Sequence, residues 1–156
     1  MPSAVELADG DLLLRPWSEE DAVAVGLTPA SPEIGRFFGL PFGGPRAPDP
    51  EAPRFSIVAD GLPVGRIWCA GGKAPFEVGY FLRPEWWGRG LATRSLVLVR
   101  DWLLAAGETT IVLCTHPANE RSQRVAERAG FRRAGEIPEY ARFPDGTTRA
   151  LRFVYP

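Results

Sequence analysis

The sequence has few of the residues from which metal sites and disulfide frameworks are built. Its 156 residues include one histidine, His116, and two cysteines, Cys69 and Cys114. A structural zinc site needs four ligands drawn mostly from these residue types, so the composition predicts no bound metal. The two cysteines could pair, but in a chain without a secretion signal they are more typical of reduced thiols. We therefore expect a cytoplasmic protein.

Long apolar runs and an excess of one charge are also missing. Aliphatic runs such as SLVLV, at residues 95–99, are far too short to span a bilayer. The first residues, MPSAVELADGD, do not have the basic segment and apolar core of a signal peptide. The net charge of −1 gives no overall attraction to nucleic acid or to a membrane surface. The chain is long enough for one domain with a buried core and too short for two ordinary ones.

What the chain does contain is an alternation of strand and helix patterns. Ser18 can cap a helix that begins directly after it. Gly107 can end a second helix over residues 91–106, whose predicted apolar stripe consists of Ala92, Leu96, Val99, Leu103 and Ala106. A third helix begins at Asn119 and can end at Gly130, with small and apolar residues on one face and charged residues on the other. The order strand, helix, strands, helix, strand, helix, strands is that of an α/β domain, a mixed sheet flanked by helices. We expect residues 1–156 to form one such domain.

Proline and glycine interrupt residues 29–53. Seven prolines occur there, at positions 29, 32, 41, 45, 48, 50 and 53, and they allow at most one short helix, near residues 32–38. Too little chain precedes this stretch for it to be a linker between domains. Long loops inside compact domains are usually functional or mobile, so we predict a surface loop.

The segment EWWGRGLATRS, residues 85–95, joins a predicted strand to a predicted helix through two glycines, Gly88 and Gly90. The first amides of a helix have no partner within it, so a glycine turn at this place can hold a phosphate group. Arg83, Arg89 and Arg94 could neutralise further phosphate charge. The segment matches neither the nucleoside triphosphate loop nor the dinucleotide-binding glycine pattern. The alternative is a tight turn with close helix packing.

Two blocks of the sequence resemble the GNAT acetyltransferase superfamily, and within it the RimJ/RimL-type N-acetyltransferases. The blocks are GYFLRPEWWGRGLATRSLVLVRDWLL and HPANERSQRVAERAGFRRAGE, and LLLRPWSEEDA resembles the usual opening of these proteins. The likeness extends from Leu12 to the C-terminus and is weakest over residues 29–53. It implies a central mixed, mostly antiparallel sheet that splays at an acyl-CoA site and is flanked by helices.

The resemblance also implies acetyl-CoA as the donor. The pantetheine arm would lie along Phe81, Leu82 and Arg83, and Asn119 would contact the donor as well as cap its helix. The pyrophosphate would be bound by the amides of the turn, here Gly88, Arg89, Gly90, Leu91, Ala92 and Thr93. Trp87 stands where the broader superfamily pattern has Gln or Arg, so one side-chain contact to phosphate is absent.

Acetyl transfer to an amine needs a base for the amine and a proton for the departing thiolate. Glu77, on the strand next to the expected thioester, is the candidate base, and its alternative is a solvent-facing Glu paired with an arginine. Glu136 and Glu139 are weaker substitutes. Many members of the superfamily carry a tyrosine acid seven residues after the Asn, where this chain has Ala126. The resemblance instead assigns the proton to Ser122, with Tyr140 as a second donor.

The remaining predictions concern the acceptor. Aromatic side chains could line its side of the site, namely those of Phe37, Phe38, Trp68 and Tyr140. The acceptor would be a protein N-terminus or a small-molecule amine. The protein would act as a monomer or a homodimer. The resemblance also implies direct transfer within a ternary complex, without a covalent acyl-enzyme, which makes Cys114 a poor nucleophile candidate. His116 is better explained as structural. The rival function is a non-catalytic domain that binds or senses acyl-CoA.

Overall fold

The computed structural model describes residues 5–25, 35–38, 40–41, 52–70 and 75–156. The predicted loop over residues 29–53 and the start of its short helix lie mostly outside these ranges. Within them, no helix has both the length and the apolar character needed to cross a bilayer.

The described chain forms ten strands and three α-helices in the predicted α/β order. The helices are α1 (Glu19–Val25), α2 (Leu91–Ala105) and α3 (Glu120–Arg128). The strands are β1 (Leu7–Asp9), β2 (Leu12–Pro16), β3 (Leu40–Pro41), β4 (Arg54–Ala59), β5 (Leu62–Ala70), β6 (Phe76–Leu82), β7 (Ile111–Thr115), β8 (Arg132–Ile137), β9 (Ala141–Arg142) and β10 (Ala150–Tyr155).

Eight of these strands form one sheet in the order β1-β2-β4-β5-β6-β7-β10-β8. The strand pairs are antiparallel except for β6 and β7, which are parallel. The predicted mixed, mostly antiparallel sheet is therefore confirmed. Strands β3 and β9 form a separate two-stranded pair.

Strands β6 and β7 separate shortly after they begin. They are paired at Phe76 with Ile111 and at Glu77 with Val112, whereas β6 is paired with β5 at six positions. Beyond Glu77 the two strands no longer share ladder positions within the described chain. A parallel sheet that opens in this way leaves backbone groups and side chains of both strands facing a gap. The candidate functional site lies in this gap.

Helix α2 packs its predicted apolar stripe on the core, with one change of phase. Its buried residues are Leu91, Ser95, Leu96, Val99 and Leu103, so the stripe begins at Leu91 and not at Ala92. Ala92 is half-buried, and Ala106 beyond the helix is exposed. Leu91, Ala92 and Thr93, in the first turn of α2, also border the gap between β6 and β7.

Helix α3 begins and ends as its sequence predicts. The Asn119 side chain accepts a hydrogen bond from the Ser122 amide at 3.2 Å, which confirms the N-cap. Ser122 and Ala126 are buried within the helix. Gly130, with a φ of 88°, follows the helix and leads into the buried Phe131.

Candidate active site

A cleft of about 1240 Å³ extends through the gap between β6 and β7. Most of the residues predicted for the donor line it, namely Phe81, Leu82, Gly88, Gly90, Leu91, Ala92, Thr93 and Asn119. The proposed catalytic pair, Glu77 and Ser122, lines the same cleft. So do the aromatic residues predicted for the acceptor, Phe37, Phe38, Trp68 and Tyr140. The side chains of Arg83 and Arg89 are directed elsewhere.

The two glycines of the turn adopt a backbone conformation that other residues rarely take. Gly88 has a φ of 76° and Gly90 a φ of 74°, and Gly90 directly precedes α2 with no side chain capping that helix. A Cβ added to either glycine would meet no atom within 4 Å. Close helix packing therefore does not explain them, whereas the left-handed turn does. The turn also leaves open space in front of the free amides of α2, a suitable shape for a phosphate group.

The three arginines near this turn are engaged with other groups. Arg83 forms an ion pair of 2.7 Å with Glu85. Arg94 binds Asp9 at 2.9 Å and lies 3.1 Å from a carboxylate oxygen of Asp11. The Arg89 guanidinium lies over the Trp86 ring, 4.4 Å from its centroid. Their predicted contribution to phosphate binding through side chains therefore has no support in this geometry.

Glu77 lies at the last paired position of β6 before the gap opens. Its carboxylate accepts a hydrogen bond from the hydroxyl of Tyr140, in the segment between β8 and β9. Tyr140 is itself fixed, because its amide donates to the Thr148 carbonyl at 2.9 Å. The two residues that the sequence proposed for different roles are thus in direct contact. Of the weaker substitutes, Glu139 lines the cleft, whereas Glu136 is exposed and pairs with Arg149.

The thiol of Cys114 also lies next to Glu77. Burial raises the pKa of Cys114, and the nearby Glu77 carboxylate raises it further. A thiol with a raised pKa stays protonated and is a poor nucleophile near neutral pH. The geometry therefore agrees with the interpretation of Cys114 as a non-nucleophilic residue.

The buried Ser122 hydroxyl interacts with the hydroxyl of Tyr80 on β6, a residue that the sequence analysis did not propose for the site. Tyr80 lines the cleft and packs partly against the hydrophobic core. Burial raises the pKa of Tyr80 to about 12, and the hydrogen bond to Ser122 opposes this shift. Alternation along a strand places Tyr80 on the same face as Val78 and Leu82. This local pattern cannot indicate that the gap reaches that face of the strand.

His116 is held by two hydrogen bonds. The Ala118 amide donates to Nδ1 at 2.9 Å, so Nε2 carries the proton and donates to the Asp145 carboxylate at 2.9 Å. Its ring packs against Phe37 and Phe143, with centroid distances of 5.2 and 4.7 Å. These contacts suit a structural histidine. Among the described residues, no three His, Cys, Asp or Glu side chains form a potential metal-binding group.

Aromatic rings form one wall of the cleft beside Glu77. Phe38, Trp68 and Phe81 contact one another with centroid distances of 6.1 to 6.2 Å. Trp68 lies over Gly79, where an added Cβ would come within 2.6 Å of its ring. This glycine is required by a close approach of the tryptophan, which fixes the position of the wall.

Comparison with known proteins adds a family and several similar structures. Residues 11–132 match the model of the acetyltransferase (GNAT) domain. Among curated proteins, none matches the chain significantly. The solved ribosomal-protein-S5-alanine acetyltransferase from Vibrio fischeri is 19% identical, with a TM-score of 0.78 over 97% of this chain and 96% of that one.

Two further structures were solved with donor-like ligands. RimJ from Mycobacterium smegmatis, in complex with CoA-disulfide, is 20% identical, with a TM-score of 0.78 over 97% of this chain and 85% of its own. The microcin C7 self-immunity acetyltransferase MccE, in complex with acetyl-CoA and AMP, is 16% identical, with a TM-score of 0.61 over 67% of this chain and 61% of its own. At these identities the likeness establishes the fold alone.

Proposed function

The chain belongs to the GNAT acetyltransferase family, and we propose that it transfers an acetyl group from acetyl-CoA directly to an amine within a ternary complex. The observation that carries this proposal is the arrangement of the cleft. Glu77 and the pair of Ser122 and Tyr80 line the same opening in the sheet, and the glycine turn borders it. The residues that we propose as base, proton donor and phosphate-binding turn therefore line one space.

The donor would be held mainly by backbone groups. Phe81 and Leu82 lie where β6 is still paired with β5 but no longer with β7, and Arg83 directly follows the strand. The backbone along the open edge of these residues would pair with the pantetheine arm, as an added strand would. The free amides from Gly88 to Thr93 would bind the pyrophosphate, and Asn119 would complete the donor site. RimJ from M. smegmatis with its CoA-disulfide, and MccE with its acetyl-CoA, support this assignment by analogy of fold.

Acetyl-CoA supplies an activated thioester, and this chain's residues would handle the protons. Glu77 would take a proton from the acceptor ammonium, directly or through a water molecule, so that the neutral amine can attack. Its hydrogen bond from Tyr140 orients the carboxylate. As the carbon–sulfur bond breaks, the Ser122 hydroxyl would donate a proton or a hydrogen bond to the departing sulfur. No covalent acyl-enzyme is needed, which agrees with the raised pKa of Cys114.

The acceptor side would accommodate an amine next to apolar or aromatic groups. Phe37, Phe38, Trp68 and Tyr140 line the cleft around Glu77, and aromatic faces attract an ammonium group before it loses its proton. A protein N-terminus and a small-molecule amine both fit this chemistry. We further propose a cytoplasmic protein, acting as a monomer or a homodimer without a metal, nucleic acid or membrane partner.

The rival function is binding or sensing of acyl-CoA without transfer. One observation favours it, namely that the Glu77 carboxylate is already bonded to Tyr140 and adjacent to Cys114. The decisive experiment measures release of free CoA thiol from acetyl-CoA across a panel of small amines and N-terminal peptides. We expect turnover with at least one acceptor and its loss in Glu77→Gln. Tight donor binding without turnover on any amine would support the rival.

A further inference from the structure

Three arginines form a row on the face of α3 that borders the cleft. Arg121, Arg124 and Arg128 follow a spacing of three and four residues, which places them on one side of the helix. All three are exposed and line the cleft. With a rise of 1.5 Å per residue, the row is about 10 Å long. The sequence pattern assigned these residues only to the charged face of α3, which proves to be the face along the cleft.

The row lies on the donor side of the cleft. The Arg121 guanidinium lies over the ring of Trp87, 4.0 Å from its centroid, and Trp87 directly precedes the glycine turn. The row therefore starts beside the proposed pyrophosphate site and continues along α3 toward its C-terminal end.

Little negative charge offsets the row. Arg124 is 3.9 Å from Glu120, but both side chains are more than half exposed, so this pair contributes little. Among the described residues, neither Arg121 nor Arg128 forms an ion pair with a carboxylate. Arg83 and Arg94, on either side of the glycine turn, differ in this respect because they are paired with acids. Arg89 stacks on the Trp86 ring and does not line the cleft. The row on α3 therefore presents three guanidinium groups along the donor side of the cleft.

We propose that this row binds the 3′-phosphate of the CoA donor and so selects CoA over thioesters that lack this group. The proposal rests on the proposed use of acetyl-CoA. The ribose 3′-phosphate lies beyond the pyrophosphate, so the amides of α2 that hold the pyrophosphate cannot also hold it. A second phosphate needs its own donors, and guanidinium groups bind phosphate oxygens through paired, charge-assisted hydrogen bonds. Phosphopantetheine on a carrier protein has no such 3′-phosphate and would gain nothing from the row.

The test compares CoA with 3′-dephospho-CoA by isothermal titration calorimetry. The variant is the double substitution Arg124→Gln with Arg128→Gln, which keeps the contact of Arg121 with Trp87. The matched control is Arg132→Gln with Arg133→Gln on β8. These two arginines are exposed and lie outside the cleft, and Arg133 is 3.9 Å from Glu136, as Arg124 is from Glu120.

We expect the parent protein and the control to bind CoA about tenfold more tightly than dephospho-CoA, as loss of charge-assisted bonds predicts. The α3 variant should lose most of this preference because CoA binding weakens while dephospho-CoA binding stays constant. Equal binding of both ligands by the parent would overturn this proposal and leave the proposed function standing. If the α3 variant bound CoA and dephospho-CoA more weakly by the same factor, that result would also overturn the proposal. Absence of any CoA binding by the parent would instead overturn the proposed function, and this inference with it.

Discussion

The hydroxyl of Ser122 on α3 interacts with the hydroxyl of Tyr80 on β6, on the opposite face of the strand from Glu77. The strand thus separates a carboxylate on its acceptor face from two linked hydroxyls on its core face. Because the sheet is open at this point, both faces border one cleft. In the proposed reaction, one proton would leave the acceptor on one side of β6 and another would reach the donor sulfur on the other side.

If the two hydroxyls act as one unit, their substitutions should not have independent effects. We expect Ser122→Ala to lower kcat by about 10²-fold, the lower end for a positioned proton donor. Tyr80→Phe should lower it by a smaller factor. The double variant should be no slower than Ser122→Ala alone, because removing the Ser122 hydroxyl already interrupts proton transfer through the two hydroxyls. Steady-state kinetics with the best acceptor measures kcat for each variant. The CoA affinity of each variant should stay within a few-fold of the parent.

Multiplied losses in the double variant would mean that Tyr80 acts independently of Ser122. A parental rate in Ser122→Ala would mean that the proton comes from Tyr140 or from water. Each substitution removes one oxygen from a neutral hydrogen bond, so we expect stability to fall by only about 1 kcal/mol.

The pKa of Tyr80 predicts a loss of stability at high pH. Its folded-state pKa of about 12 lies above the ordinary value of 10.0. Between these values the unfolded tyrosine loses its proton while the folded one keeps it, so the unfolding free energy decreases as pH rises through this window. Well below pH 10 both states keep the proton, so Tyr80 does not change the unfolding free energy with pH. Urea unfolding measures the unfolding free energy at pH 9 and at pH 11. Its decrease between these pH values should be smaller for Tyr80→Phe than for the parent. An equal decrease would contradict the raised pKa of Tyr80.

The glycine turn can be tested with a control of matched conformation. Gly90→Ala adds a Cβ in front of the amides of α2, where it would meet no protein atom but would obstruct a phosphate. Gly61→Ala, in the turn between β4 and β5, has a φ of 75° and equally open surroundings. Both variants carry a similar strain of about 1 kcal/mol for a left-handed residue. We expect only Gly90→Ala to weaken CoA binding, by tenfold or more.

Alanine is the right substitution for this test because of the backbone. At a φ of 74°, a β-branched residue such as valine would add strain of its own, and weaker binding could then reflect a distorted turn. Unchanged CoA affinity in a folded Gly90→Ala protein would contradict the role of the turn in phosphate binding.

Phe37 and Phe38 should affect the acceptor and not the donor. Phe38 contacts Trp68 and Phe81, and Phe37 contacts His116, all beside the acceptor side of the cleft. The double substitution to Ala should raise the acceptor KM and change the preference among amines, while acetyl-CoA affinity stays within about twofold. Equal losses for the donor and for every acceptor would show instead that the pair has a purely structural role.

Cys114 should be dispensable and slow to react. Its pKa is raised by burial and by the Glu77 carboxylate, so little thiolate forms at pH 8. We expect Cys114→Ser to retain most of the activity, and alkylation of Cys114 in the folded protein to be much slower than in urea. A burst of released CoA before acceptor is added, lost in Cys114→Ser, would indicate an acyl-enzyme and contradict direct transfer.

Local signals in the sequence were sufficient for most elements of the fold. Asn119 and Gly130 delimit α3 because an Asn side chain caps a helix start and a glycine accepts the left-handed conformation that ends it. Asp60 and Gly61 form the turn between β4 and β5, both with positive φ, for a similarly local reason. The turn at Gly88 and Gly90 also followed from residues close in the chain.

Other features depend on contacts between distant segments, and only the tertiary structure decided them. Tyr140 meets Glu77 across 63 positions of the chain, and Tyr80 meets Ser122 across the gap in the sheet. Arg83 and Arg94, which the sequence places beside the phosphate turn, are instead paired with acids, while the arginines of α3 border the cleft. A residue's position in its own strand or helix fixes which face it occupies. What that face meets depends on how the strands diverge and the helices pack, which no local pattern encodes.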